Sequence, residues 1–238
     1  MSKLQSSLRS QGWHYALEFL VILLGITVSF YLEKSRVKSQ EASLKNQSLT
    51  RILQNVHSDQ SEFALNMAVH EMAAKSCDWL FQHRKTHTSV HPDTLGHHCS
   101  VCIDGQTLFV DNQEEYLSLR NSGLLELIED STLVRLLQEK FVYHEYLHRL
   151  DDYNSALVAP YRNMLFTHFD LPDSIQFVMD FIALRQWNGA PLPAGLFQFA
   201  YDVSEWHMAY VWAMEEQSES DQELIGRLQR EVGLEMDE

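Results

Sequence analysis

The sequence predicts an all-α fold: one transmembrane helix near the N-terminus continuing into a long helix that packs in an antiparallel helical bundle. Three observations predict it. About twenty mostly apolar residues run from Trp13 to Leu32. No Pro or Gly interrupts the chain from Ile26 to Lys85. Beyond the apolar run, Leu49, Ile52, Leu53, Val56, Phe63, Met67, His70, Ala74, Cys77 and Phe81 recur at threes and fours, the period of a helix rather than the twos of a strand.

The run 13–32 is long enough, at about 1.5 Å per residue, to cross a hydrocarbon core of about 30 Å. Trp13 and Tyr15 at one end and Tyr31 at the other occupy positions where interfacial aromatics belong. No small-x-small cleavage site follows Leu24, and the run passes directly into Glu33-Lys34-Ser35-Arg36, which reads as an uncleaved anchor rather than a signal peptide. Lys34, Arg36 and Lys38 are the basic cluster of a membrane-interface anchor. Glu18 lies roughly 7 Å inside the apolar run. On a helix, His14, Glu18, Gly25 and Ser29 form one stripe that suits helix-helix contact, with Gly25 and Ser29 permitting close approach and Glu18 bridging neighbours; the alternative is that Glu18 snorkels to the near interface.

Residues 1–12 are then a short N-terminal cytoplasmic segment, 33–48 a helical stalk, 49–215 the helical soluble domain and 216–238 an acidic tail. Asp111-Asn112 is a credible N-cap for a short helix through Arg120, stopped by Asn121-Ser122-Gly123. Ser131 caps a longer helix in which Leu133, Leu136, Leu137, Phe141, His144 and Leu147-His148 face one way, with Pro160 marking a kink or end near Ala159. A further helix is expected from about Ser174 to Trp187, and a last long one from Ala194 that dissolves after Glu215. Only Ser100 to Val110 leaves room for a short hairpin.

Two patches resemble a family of uncharacterised bacterial single-pass, membrane-anchored helical proteins. One is the run Tyr15-Ala-Leu-Glu-Phe-Leu-Val-Ile-Leu-Leu-Gly-Ile-Thr-Val-Ser-Phe; the other is Tyr116-Leu-x-Leu-Arg-Asn-Ser-Gly-Leu-Leu-Glu-Leu-Ile-Glu-Asp with Leu133 and Leu137 beyond. Together they cover about a fifth of the chain. The Asn-Trp pair that often ends the family's membrane helix is replaced here by Tyr31-Leu32-Glu33. The resemblance implies a helical domain on the outer, periplasmic side of the bacterial inner membrane and brings no activity. The positive-inside count alone, Lys3 and Arg9 against Lys34, Arg36, Lys38, Lys45 and Arg51, favours the opposite orientation, but long domains translocate largely regardless of charge.

A formal charge of −15 over 238 residues argues against nucleic acid as a partner of the soluble part and leaves membrane lipid, a second copy or another membrane protein. The most distinctive stretch holds His87, His91, His97, His98, Cys99 and Cys102, read as a loop containing Pro and Gly. Cys99-x-x-Cys102 with Cys77 and His97 or His98 would supply a tetrahedral zinc site; alternatively Cys99 pairs with Cys102, or one of them with Cys77, as a disulfide. His144-Glu145-Tyr146-Leu147-His148 matches the His-Glu-x-x-His pattern of zinc hydrolases, though no downstream third ligand is evident and buried, hydrogen-bonded histidines also explain it. A phosphate-cradling glycine loop, a Gly-x-Ser-x-Gly elbow and a dinucleotide fingerprint are all missing. The aromatics Trp187, Phe197, Phe199, Tyr201, Trp206, Tyr210 and Trp212 read as core or as the lining of a pocket. The leading expectation is a non-enzymatic, membrane-anchored interaction module without a cofactor, in a homo- or hetero-oligomeric assembly. A zinc metallohydrolase using His144, Glu145 and His148 and a sensor or channel subunit using Glu18 are the alternatives.

Overall fold

The computed structural model describes residues 2–233, with the side chains of 2–12 and 14–16 outside the description. Helix makes up 78% of the chain, so the all-α class holds. α1 (Ser2–Gln82) is one unbroken helix. α2 (Pro92–Asp104) and α3 (Glu114–Asn121) are short, and α4 (Ser131–His168) and α5 (Leu196–Glu231) are long. Between the last two lie four two-residue strands, β1 (Phe169–Asp170), β2 (Phe177–Val178), β3 (Ile182–Ala183) and β4 (Gln186–Trp187). They pair antiparallel as β1 with β4 and β2 with β3.

α5 runs antiparallel to α1 along its whole length. Lys45 pairs with Glu231, Gln60 with Ser218, His70 with His207 and Ala74 with Ser204, so sequence separation shrinks steadily towards the far end. α4 is antiparallel to α5, from Lys140–Asp221 at its base to Tyr161–Gly195 near its top, and therefore parallel to α1. Three apolar layers are stacked along this bundle. The base joins Leu49, Ile52 and Val56 to Leu133, Leu137 and Leu228, roofed by α3. The middle centres on Phe63, Phe109, Leu147, Trp206 and Tyr210. The top joins Leu80, Leu95, Ile103, Val158, Leu165, Phe169 and Val203.

Several sequence expectations are corrected. The His/Cys stretch is not a loop: Pro92 opens α2, and the His91 side chain accepts the Asp93 N–H as a cap. No strand forms in 100–110, which is the end of α2 followed by irregular chain. Strands form instead at 169–187, and the helix expected from Ser174 to Trp187 is not there. There Ile175, Phe177 and Met179 alternate with period two, β-branched Val178 and Ile182 sit opposite each other, and Met179 and Asp180 take positive φ values of 53° and 60° at the turn. The chain between β3 and β4 lies against α2 at Gly96 and Ser100: the Arg185 N–H donates to the Ser100 hydroxyl, and a Cβ on Gly96 would stand 1.8 Å from the Arg185 carbonyl oxygen. α4 continues through Pro160 to His168 without ending. The expected acidic tail is helical as far as Glu231, with Gln217, Asp221, Leu224, Ile225 and Leu228 buried.

The caps fall one or two residues from expectation. Asp130, not Ser131, accepts the Thr132 and Leu133 N–H groups. Asn112 does accept the Glu114 N–H, while Asp111 is turned elsewhere. Among the described residues no helix is long and apolar enough to cross a membrane. The described side chains are continuous only from Leu17, and Glu33-Lys34 follow Leu32. His14, the first member of the expected stripe, lies outside the described residues.

Candidate functional site

Between the base and middle layers the apolar core gives way to charge. Lys140, on the inward face of α4, is 2% exposed, and its ammonium lies 2.8 Å from Asp59 of α1 and 2.9 Å from Asp221 of α5. Burying an ammonium costs several kcal/mol unless it is paired, and here two carboxylates from two other helices surround it. Gln60 and Gln217 donate to the two oxygens of Asp221, which closes that end of the layer.

One turn further along α4, His144 is wholly buried. Its Nδ1–H donates to Asp111 at 2.8 Å, and the more exposed His148 donates from Nε2 to the other Asp111 oxygen at 3.1 Å. Gln113 adds a third donor. Burial pushes the Asp111 carboxyl up, but the bonds from His144, Gln113 and His148 outweigh it and hold the group well below the usual carboxylate range. Asp111 therefore stays ionised. Its position in the 105–113 connection is fixed by the neighbouring Phe109, whose ring stacks on Phe63 and whose N–H donates to Asp151.

This geometry decides what the His-Glu-x-x-His pattern does here. The two imidazoles converge on a carboxylate through different ring nitrogens, and Glu145 is exposed on the outer side of α4. Among the described residues no group of three His, Cys, Asp or Glu side chains is arranged to hold a metal ion.

The cysteines divide otherwise than as a Cys99–Cys102 bridge. Cys77 of α1 and Cys102 of α2 form a disulfide, with Cα atoms 5.0 Å apart, that pins α2 to the long helix. Cys99, one turn before Cys102 on α2, lies in the same apolar cluster without a disulfide partner. It remains a free thiol, and complete burial pushes its pKa up, so it is held as an unreactive thiol. His97 and His98 do not join the sulfurs. His98 stacks on Trp79 at 4.0 Å, as does His83, so the two imidazoles must cover opposite faces of the indole. Burial lowers the His98 pKa to about 4, with His97 and His83 adding to the effect.

Sequence reasoning passed over the pair His70–His207, whose Nδ1 atoms lie 2.9 Å apart in the middle layer, with Thr107 on His70 Nε2. Burial lowers His70 to about 3 and His207 well below its ordinary value. The aromatic set does not line one pocket. Phe199, Trp206 and Tyr210 are core, whereas Trp212 is 63% exposed.

On α1, Glu18, Gly25 and Ser29 are exposed, and a Cβ on Gly25 would meet nothing within 4 Å. A shallow surface groove there is lined by Ile22, Gly25, Ile26, Ser29, Phe30 and Glu33. A second follows it, lined by Ser35, Arg36, Ser39, Gln40, Ser43, Leu44 and Gln47. Comparison with family models, with curated proteins and with solved structures found no match.

Proposed function

We propose that the chain is a non-enzymatic, membrane-anchored interaction module that associates through the outer face of α1 and carries its helical domain on the periplasmic side of the inner membrane. One observation carries this reading: from Leu17 to Leu32 the large apolar side chains are 49–74% exposed, uncovered by any other of the described residues. Apolar surface of that extent needs lipid or protein around it. The charge layer supports a structural role, because Lys140 is paired with Asp59 and Asp221 and both imidazoles with Asp111, instead of converging on an open position.

The phase of α1 supports self-association. At about 100° per residue, Ser29, Ser43, Gln47, Gln54, Ser61, Leu65 and Ala68 all fall within about 40° of Gly25. Those positions are exposed. Ile52, Val56, Phe63 and His70, which face the domain, fall on the opposite side of the helix. Two copies could thus run side by side along α1 without their domains colliding. Arg36 lies on the same face and is tied back to Glu33. The Cys77–Cys102 disulfide favours an oxidising compartment, hence the periplasm.

The test is oligomer size in mild detergent by cross-linking and light scattering. Gly25→Leu should abolish assembly, and Glu18→Leu should weaken it by removing an interhelical hydrogen bond worth roughly 0.5–2 kcal/mol. Leu24→Ala, off the stripe, is the control. A C-terminal alkaline phosphatase fusion should be active and a green fluorescent protein fusion dark. A monomeric wild type, or a bright fluorescent fusion without phosphatase activity, would sink the corresponding half of the proposal.

A further inference from the structure

His144 has a second nitrogen that nothing yet satisfies. Because Nδ1 carries the hydrogen given to Asp111, Nε2 of the neutral ring is a bare lone pair; it is buried and has no hydrogen-bond partner. It faces Asp59 Oδ2 at 3.8 Å, an oxygen that already accepts from Lys140. Two acceptors therefore confront each other in a site closed to water. A buried unpaired polar atom costs about 1–3 kcal/mol, and a lone pair set against a carboxylate costs more.

Every charged group around this contact can be named. α1 supplies Asp59 and, nearer the surface, Glu62; the 105–113 connection supplies Asp111; α4 supplies Lys140 and His148; α5 supplies Asp221. Two buried carboxylates, Asp59 and Asp221, and the partly buried Asp111 are thus answered by one ammonium. A second metal-like cation is poorly placed, since the Lys140 ammonium already occupies the Asp59 oxygen that faces the ring.

We propose that Asp59 and His144 share a single proton, which turns the opposed acceptors into a hydrogen bond and makes the junction of α1, α4 and α5 a proton-controlled lock. The proton resides on Asp59, whose O–H donates to Nε2 once the 3.8 Å gap closes to hydrogen-bond distance. Burial raises the Asp59 pKa against the pull of Lys140, and burial lowers that of His144 against the bond to Asp111. A raised carboxyl contributes stability that is present at low pH and lost as pH rises through its folded value. Alkaline pH therefore opens the lock at the level where α1 enters the domain.

The full-length protein in a non-ionic detergent can be unfolded in urea between pH 7 and 8.5 and compared with Asp59→Asn. The Asn side chain has no proton to titrate; because the atom facing Nε2 is also the one that meets Lys140, its amide keeps only one of the two contacts, so the comparison is of pH slopes and not of absolute stabilities. Unfolded Asp59 and His144 are both deprotonated in this window, so folding of the wild type takes up one proton. For as long as folded Asp59 keeps its proton, the wild-type folding equilibrium should fall as pH rises relative to Asp59→Asn, by up to about tenfold per pH unit. Nitrogen NMR of the wild-type His144 ring, which does not depend on the variant folding, should show one protonated nitrogen and one hydrogen-bonded acceptor at pH 7. Parallel pH dependences, a His144 Nε2 free of any hydrogen bond, or one equivalent of co-purifying zinc that disappears in Asp59→Asn would each overturn the proposal.

Discussion

Acid should unfold this domain through two histidines. His70 and His207 are 0% and 1% exposed and held neutral, with His70 at about 3 and His207 well below its ordinary value. In the unfolded chain each titrates near 6.5. The sign follows from where the protons bind: below pH 6.5 the unfolded state takes up protons that the folded state refuses, so stability is full above 6.5 and is lost as pH falls. Between pH 7 and 5 each wholly buried histidine gives up about 2 kcal/mol, and the pair about 4 kcal/mol. That is a large share of the 5–15 kcal/mol by which domains are usually stable.

The assay is equilibrium urea unfolding in non-ionic detergent, followed by tryptophan fluorescence. Trp206 is a reporter in place, its ring 5.5 Å from His70 and 5.1 Å from His207. Carboxyls raised by burial, such as Asp59, Asp104 and Asp151, act in the opposite sense as pH falls, so the comparison must be with a variant. In His70→Gln/His207→Asn the loss between pH 7 and 5 should shrink by about 4 kcal/mol, whatever the variant's stability at pH 7. A variant with the wild-type pH dependence would refute the reasoning, because the pair would then be protonated inside the fold.

Gly96→Ala should destabilise by about 1–3 kcal/mol or more, since the new methyl would meet the Arg185 carbonyl and push the β3–β4 segment off α2; thermal unfolding measures it, and an unchanged midpoint would mean that the hairpin does not rest there. Reducing the Cys77–Cys102 bridge, whose ends are 25 apart in sequence, should cost about 3.5 kcal/mol on the loop-entropy account. Dithiothreitol should lower the unfolding midpoint of the wild type and leave Cys77→Ala/Cys102→Ala unmoved. Thiol titration of the unfolded, unreduced protein should find Cys99 alone.

What the sequence made legible was periodicity. α1 could be read because breakers are missing from Ile26 to Lys85 and its apolar residues keep the helical period; its inward face, including His70 and Cys77, is buried as that period requires. The far end of α4 could not be read from Pro160. The ring sits on the exposed side of the helix, while Val158, Met164 and Leu165 on either side of it are buried and hold the turn together at the cost of one backbone hydrogen bond. The strands at 169–187 were obscured because each spans two residues and because β3 and β4 rest on α2, which no local pattern announces.

The acidic run after Glu215 reads as tail because carboxylates are seldom buried without partners. The partners exist, but they are remote: Asp221 is 81 residues from Lys140, and Glu231 is 186 from Lys45. The same distance hides the candidate site, whose groups come from α1, the 105–113 connection, α4 and α5. One signal was nevertheless available. Lys140 stands four residues after Leu136 and four before His144, on the face that Leu133, Leu137 and Phe141 assign to the core. A lysine at a core position of an amphipathic helix must either reach solvent or meet carboxylates brought by other elements. With the surrounding positions apolar and the chain carrying an excess of acid, the second outcome is the cheaper one, and it draws Asp59 and Asp221 inward with it.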